Sequence, residues 1–235
     1  MGMKIPAEWT FESGEIAAGF DEHVREQLPW YDLATKAIVH VGRHYIPRGG
    51  LVYDIGASTG NVGRALAGVL ESRDASLIAL ENSSAMIPKY RGPGTLIEAD
   101  ATSYAFKPFD LAVCFLVLMF IAPKDRAAVL TSLRASLLPG GALIIFDKCL
   151  PAFGYPAVVM SRLAMAGKIE NGADPRDVID KELSLAGIQR PLDPAEIGDG
   201  IEFFRFGDFR GWIIEATRQP RLFAEPQAKP KQESA

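Results

Sequence analysis

The residues best placed to do chemistry are Asp54, the glycine run behind it, and Glu81. The segment Leu51-Val-Tyr-Asp-Ile-Gly-Ala-Ser-Thr-Gly60 begins apolar, reaches an acid, and continues through Gly56, Gly60 and Gly63 into a helical pattern. A strand entering a glycine turn lets a helix N-terminus and bare backbone amides approach a ligand closely. Asp54, Gly56, Ala57, Ser58, Thr59 and Gly60 are therefore expected around a bound molecule. Glu81 ends the next strand, where an acid can accept both ribose hydroxyls of a nucleoside, and Asn82 and Ser83 follow it. Asp100 and Ala101, after the third strand, are placed to meet the exocyclic amine of adenine. Phe115, Leu116 and Met86 could sandwich its ring. Each has a plainer alternative: Asp100 as a turn cap, Phe115 and Met86 as core, Glu81 as a solvated loop acid.

The elements that must position these residues follow from periodicity. Helices are expected over Ser13–Gln27 and from about Tyr31 to Tyr45, the latter ended by Pro47 and Gly49-Gly50. Strands at Leu51–Ile55, Ser76–Leu80, Thr95–Glu98, Asp110–Leu116 and Ala142–Phe146 alternate with helices at Asn61–Glu71, Ser84–Tyr90 and Lys124–Leu138. That alternation means βαβ units and a parallel sheet. Residues 151–187 read as a helical insert that, with the N-terminal helix, is expected to line the acceptor pocket. Strands Ile201–Phe206 and Phe209–Ala216 flank a tight Gly207-Asp208 turn, which reads as a closing antiparallel hairpin. The expected organisation is an N-terminal arm over 1–12, one domain over 13–222 and a polar, disordered tail over 223–235. In such a sheet the ligand sits at the carboxyl ends of the strands.

Composition narrows the ligand. A net charge of -4 provides no broad footprint for nucleic acid. The longest apolar stretch, Leu111 to Ala122, is too short to span a bilayer, so a soluble, cytoplasmic chain is expected. Cys114 and Cys149 read as buried free thiols, and no metal-ligand spacing is present. The glycine spacing, Gly-x-x-x-Gly-x-x-Gly, is not the Gly-x-Gly-x-x-Gly of a dinucleotide site. His40 and His44 on the second helix read as structural. Val158, Val159, Leu163, Ala164 and Met165 form an apolar stripe read first as core, with a lid or dimer surface as the other uses.

These motifs carry a resemblance. The acid-Ile-Gly-x-Ser-x-Gly loop, Glu81-Asn-Ser-Ser-x-Met86 and Leu138-Pro-Gly-Gly-Ala-Leu-Ile resemble class I S-adenosylmethionine (SAM)-dependent methyltransferases. That fold is a three-layer, Rossmann-like α/β sandwich whose seven-stranded sheet carries a terminal antiparallel strand. Phe20-Asp-Glu-His-Val, Pro29-Trp-Tyr, Asn171-Gly172 and Phe203-Phe-Arg-Phe-Gly-Asp-Phe209 are further similar to carboxy-SAM synthase, which serves tRNA wobble-uridine modification. The resemblance covers roughly residues 10 to 217. It implies SAM as cofactor with S-adenosylhomocysteine as product, Tyr31 closing over the methionine end, Tyr53 supporting the loop, and a homodimer. In the synthase register its carboxylate-binding arginine falls on Glu182, its tyrosine after Asn-Gly on Ala173, and its asparagine after strand four on Phe115. Arg176, Arg190 and Arg205 are the nearby cations. The first reading is thus methyl transfer to a small-molecule acceptor, with tRNA as the other acceptor considered. Carboxy-SAM synthesis and a catalytically inactive SAM-binding sensor are the alternatives. Because the sulfonium already activates the methyl, no catalytic residue is required by the chemistry, and none is assigned.

Overall fold

A computed structural model describes residues 5–151 and 153–216. The expected tail and the first four residues of the expected arm lie outside these. The strands are β1 Leu51–Ile55, β2 Ser76–Glu81, β3 Thr95–Glu98, β4 Phe109–Phe115, β5 Leu137–Lys148, β6 Ile201–Phe206 and β7 Phe209–Glu215. The helices are α1 Gly14–Gln27, α2 Tyr31–Gly42, α3 Asn61–Ser72, α4 Pro123–Ser136, α5 Tyr155–Glu170 and α6 Pro175–Ser184. All seven strands form one sheet in the order β3-β2-β1-β4-β5-β7-β6. Strands β1 to β5 pair in parallel, while β7 inserts antiparallel between β5 and β6. The closing hairpin is therefore present, but its first strand, β6, takes the sheet edge.

The central strands are apolar on both faces, and their side chains alternate between two cores. Val52, Leu111, Val113, Ile144 and Phe146 pack beneath α2 and α3, through Ala34, Ile38, Val62 and Leu66. Tyr53, Ile55, Ala112, Cys114, Leu143 and Ile145 pack against Val129, Leu130 and Leu133 of α4. A helical layer on each face of the sheet results.

Three sequence expectations shift. The helix expected over Ser84–Tyr90 shrinks to a single 3-10 turn, Ile87–Lys89, because Pro88 cannot donate to a helical ladder. The helix expected to Leu138 stops at Ser136. Leu137 already pairs with Phe109, and the ladder resumes at Leu111 with Ala142, so residues 138–141 bulge out between. The apolar stripe on α5 is not core: Val158, Val159, Leu163 and Met165 are all exposed.

The arm is folded. Trp9 is 3% exposed and packs with Phe11, Ile16 and Leu185 in a third small core. The backbone N–H of Trp9 donates to the Ser184 carbonyl of α6, and the Ser83 hydroxyl donates to the Phe11 carbonyl. Residues 9–11 thereby bridge α6 and the loop after β2.

Candidate active site

A cavity of about 290 Å³ opens at the carboxyl ends of β1, β2 and β4. It lies where parallel strands leave the sheet and helix N-termini face them. Asp54, Gly56, Ala57, Ser58 and Thr59 from the first loop line it, as do Glu81, Asn82, Met86, Asp100, Ala101, Phe115, Leu116 and Tyr31.

The first loop has the shape its glycines allow. Gly56 sits at φ +65, and a Cβ there would stand 2.7 Å from Val117 Cγ2. Ser58, at φ 52, and Leu116, at φ 62, are non-glycine residues held in the left-handed region, and both line the cavity. Such backbone persists only where its surroundings enforce it. Here Asp21 of α1 does part of that work, accepting from the Thr59 hydroxyl and pairing with Arg64 Nη2 at 3.2 Å. Behind Leu116, the buried carboxylate of Asp147 accepts from the N–H groups of Val117 (3.1 Å) and Leu118 (2.7 Å).

Two acids face the cavity from within the protein. Glu81 accepts from the backbone N–H of Ser58 at 2.7 Å, Ser83 at 2.9 Å and Asn82 at 3.0 Å. Burial pushes its carboxyl up from its ordinary value, against the pull of those three donors. Asp54 is 2% exposed, and its one hydrogen bond is a long one, 3.3 Å, from the Gly63 N–H in the first turn of α3. Burial pushes it up to about 7, with the neighbouring Glu81 charge adding to the effect of burial. A buried carboxyl with one weak donor is poised to gain from a cation. Among the described residues, three polar side-chain atoms of cavity-lining residues have no hydrogen-bond partner: Ser58 Oγ, Gln27 Oε1 and Trp9 Nε1. Leaving a buried polar group unpaired costs about 1–3 kcal/mol, so these atoms favour a ligand with its own donors and acceptors.

The other expected site residues fall as follows. Asp100 accepts from the Thr102 N–H at 2.8 Å, so it caps a turn while still lining the cavity. Phe115 stacks on Tyr31, ring centroids 5.0 Å apart, and both rings edge the cavity. Met86 is fully buried at its wall. Tyr53 is corrected to a core residue. The strand pleat turns it away from Asp54 into the opposite core, where Phe106 and Phe109 surround it and its hydroxyl accepts from the Lys107 N–H. Gly60 and Ser83 lie just behind the lining: Gly60 caps α3 at φ 86, and the Ser83 hydroxyl is held by Phe11. His40 and His44 are exposed on α2 and the turn after it, away from the cavity.

The N-terminal helix and the 151–187 insert, expected to line the acceptor pocket, supply much of the far wall, although its individual residues were not read from sequence. Phe20, His23, Val24 and Gln27 of α1, Trp9 and Phe11 of the arm, and Phe120 make it largely apolar. Set into it are Lys148 from the end of β5, Lys168 from α5, and Lys181 and Glu182 from α6. Glu182 bonds Lys168 Nζ at 2.7 Å and Lys148 Nζ at 3.5 Å. Burial acts to raise its carboxyl, but the two lysines outweigh this and hold it below its ordinary value. Among the described residues, Arg176, Arg190 and Arg205 do not line the cavity. No sequence signal marks this group, because its members come from three separate elements.

Comparison with known proteins gives the site its context. Residues 52–141 match a family model described as a methyltransferase domain. The chain is 29% identical over 213 residues to a carboxy-S-adenosyl-L-methionine synthase of Staphylococcus epidermidis, covering 88% of this chain and 93% of that one. It is 27% identical to a synthase of the same name from Pseudomonas fluorescens, over 75% of this chain and 77% of the relative. Among solved structures, a DhpI-SAM-HEP complex superposes with a TM-score of 0.55 at 15% identity, over 85% of this chain and 92% of that one. Human N-acetylserotonin methyltransferase in complex with SAM gives a TM-score of 0.55 at 12% identity, over 89% and 59%. The structural likenesses establish a shared fold.

Proposed function

We propose that this chain, which belongs to the class I SAM-dependent methyltransferase superfamily, transfers the methyl group of SAM to a small-molecule acceptor. The observation that carries the reading is the cavity at the ends of β1, β2 and β4. There the glycine loop, the Glu81 carboxylate and the unpartnered Ser58 hydroxyl converge. The residues present suit the cofactor. Glu81 would receive the ribose hydroxyls, Asp100 and Ala101 the adenine, and the first loop the methionine portion, with the Asp54 carboxyl as counter-charge to its ammonium. SAM supplies a methyl already activated by a sulfonium; the protein's part is to hold the acceptor in line with it and keep water out. The arm, α5 and α6, which wall the cavity, support a small molecule as acceptor.

Carboxy-SAM synthesis is the second reading, favoured by identity along most of the synthase's length. Glu182 argues against it. It stands where the synthase register places the arginine that pairs with the donor's carboxylate, and it engages Lys148 and Lys168 itself. Native mass spectrometry of the purified protein, calorimetry with S-adenosylhomocysteine and a labelled-methyl assay against cell extract separate these readings. SAM or its demethylated product as the co-purifying ligand, with label transferred to a small-molecule fraction, is the expected result. A bound carboxy-SAM would replace the first reading by the second. Binding without transfer would identify a sensor, and absence of binding would overturn all three.

A further inference from the structure

Resting on the methyltransferase reading, we propose that Lys181 takes the proton from the methyl acceptor, with His23 positioning its amine. Lys181 Nζ lies on the cavity wall, 3.1 Å from Nε2 of His23 and 2.6 Å from the centroid of the Trp9 ring. His23 is itself fixed, 6% exposed and stacked on Trp9 with ring centroids 5.7 Å apart. The neighbouring acid does not neutralise Lys181. Both oxygens of Glu182 are engaged, one by Lys168 and one by Lys148, and Lys148 also donates to Gln189 at 2.9 Å.

The groups facing Lys181 are therefore His23 from α1, Trp9 from the arm, Lys168 from α5 and Glu182 beside it on α6. Burial removes water from the amine and Lys168 repels its charged form; Glu182 opposes them without cancelling them. The result is an amine whose pKa is lowered to about 6, so it is largely neutral near pH 7 and its lone pair is free to act. His23, its pKa lowered to about 3 chiefly by burial and then by Lys181 and Lys168, stays neutral; in the Nδ1–H tautomer, which the proposal requires, its Nε2 accepts one Lys181 N–H. That bond leaves the Lys181 lone pair available to the acceptor. The Trp9 face then favours the ammonium that forms.

The step balances. The acceptor X–H bond breaks and its proton passes to Lys181 Nζ. The electron pair left on X forms the new bond to the methyl carbon, while the carbon–sulfur bond breaks and its pair remains on sulfur. The ammonium returns its proton to solvent after the products leave. No oxidant or metal enters.

Two measurements on the full chain test this. In the first, lysine labelled with 13C at Cε is followed by NMR across pH 5 to 11 with S-adenosylhomocysteine bound, and Lys181→Arg identifies the resonance. A midpoint at least two pH units below the other lysines is expected; an ordinary midpoint overturns the proposal. In the second, label transfer from SAM to the small-molecule fraction of cell extract is compared across native, Lys181→Met and Lys181→Arg proteins. Calorimetry with S-adenosylhomocysteine confirms that each is folded and binds. Both variants should bind within about threefold of native yet lose at least a hundredfold in transfer, the loss expected for removing a general base. Retained activity in Lys181→Arg overturns the base and leaves a cation that only attracts the acceptor. A native chain that binds but transfers nothing instead refutes the methyltransferase reading, and the proposal with it.

Discussion

Replacing Asp54 by asparagine tests the electrostatics of the site most directly. The amide keeps the shape of the side chain and an acceptor for the Gly63 N–H but carries no charge. A carboxyl moved from its ordinary 3.8 to about 7 makes the ionised form on the order of 4 kcal/mol less favourable in the folded chain. The sign follows from proton binding. Between those two values the folded protein holds a proton that the unfolded chain has released, so stability falls as pH rises. The fall is roughly 1.4 kcal/mol per pH unit and levels off above about pH 7. Asp147 is likewise pushed up to about 7 by burial, but it titrates in both proteins and cancels in the difference. The stability advantage of Asp54→Asn should therefore grow by roughly 2–3 kcal/mol from pH 5 to pH 8. Urea unfolding of both proteins at the two pH values reads this directly. A difference that is the same at pH 5 and pH 8 would refute the reasoning. Affinity should move the opposite way. At pH 8 the variant should bind S-adenosylhomocysteine about ten- to a hundredfold more weakly, because a charge-assisted hydrogen bond contributes about 1.5–3 kcal/mol.

Three further outcomes are expected. Glu81→Gln keeps the side chain's length but loses its charge, and should weaken S-adenosylhomocysteine binding at least tenfold by calorimetry at pH 8; unchanged affinity would remove Glu81 from the ribose site. Gly56→Ala places a Cβ against Val117 at a positive φ, and should lower stability by roughly 1–3 kcal/mol in thermal unfolding. Arg126 is 1% exposed and joins α4 to residues 190–196, bonding the carbonyls of Ile121 and Arg190 and the Glu196 carboxylate. Arg126→Ala should cost about 3–5 kcal/mol in urea unfolding, with affinity for S-adenosylhomocysteine little changed in the fraction that folds.

What could be read from the chain was what is local along it. Strand β1 and its glycine turn, Glu81 at the end of β2 and the hairpin at Gly207-Asp208 all announce themselves within a few residues, because backbone conformation and strand periodicity are short-range properties. Tyr53 shows a signal that was present and outweighed: adjacent strand residues point to opposite faces, so Asp54 and Tyr53 could not both face one ligand. The lysine group was illegible for a different reason. Lys148, Lys168 and Lys181 meet only after β5, α5 and α6 pack, and nothing near any one of them in sequence marks it as a wall of the cavity. The arm was read as an appendage because its apolar residues, Trp9 and Phe11, show no period; their burial depends on distant partners in α1 and α6 and on Phe120.

That arm also has a consequence for turnover. Residues 9–11 are fastened at one end to Ser184, beside the lysine group, and at the other to Ser83, whose N–H donates to Glu81. On the proposed function a single short segment thus borders both reactant sites at once. Departure of the spent nucleoside and arrival of the next acceptor would then pass the same latch. Loosening either fastening would hasten exchange at both ends together, so the two exchange rates should rise and fall in step.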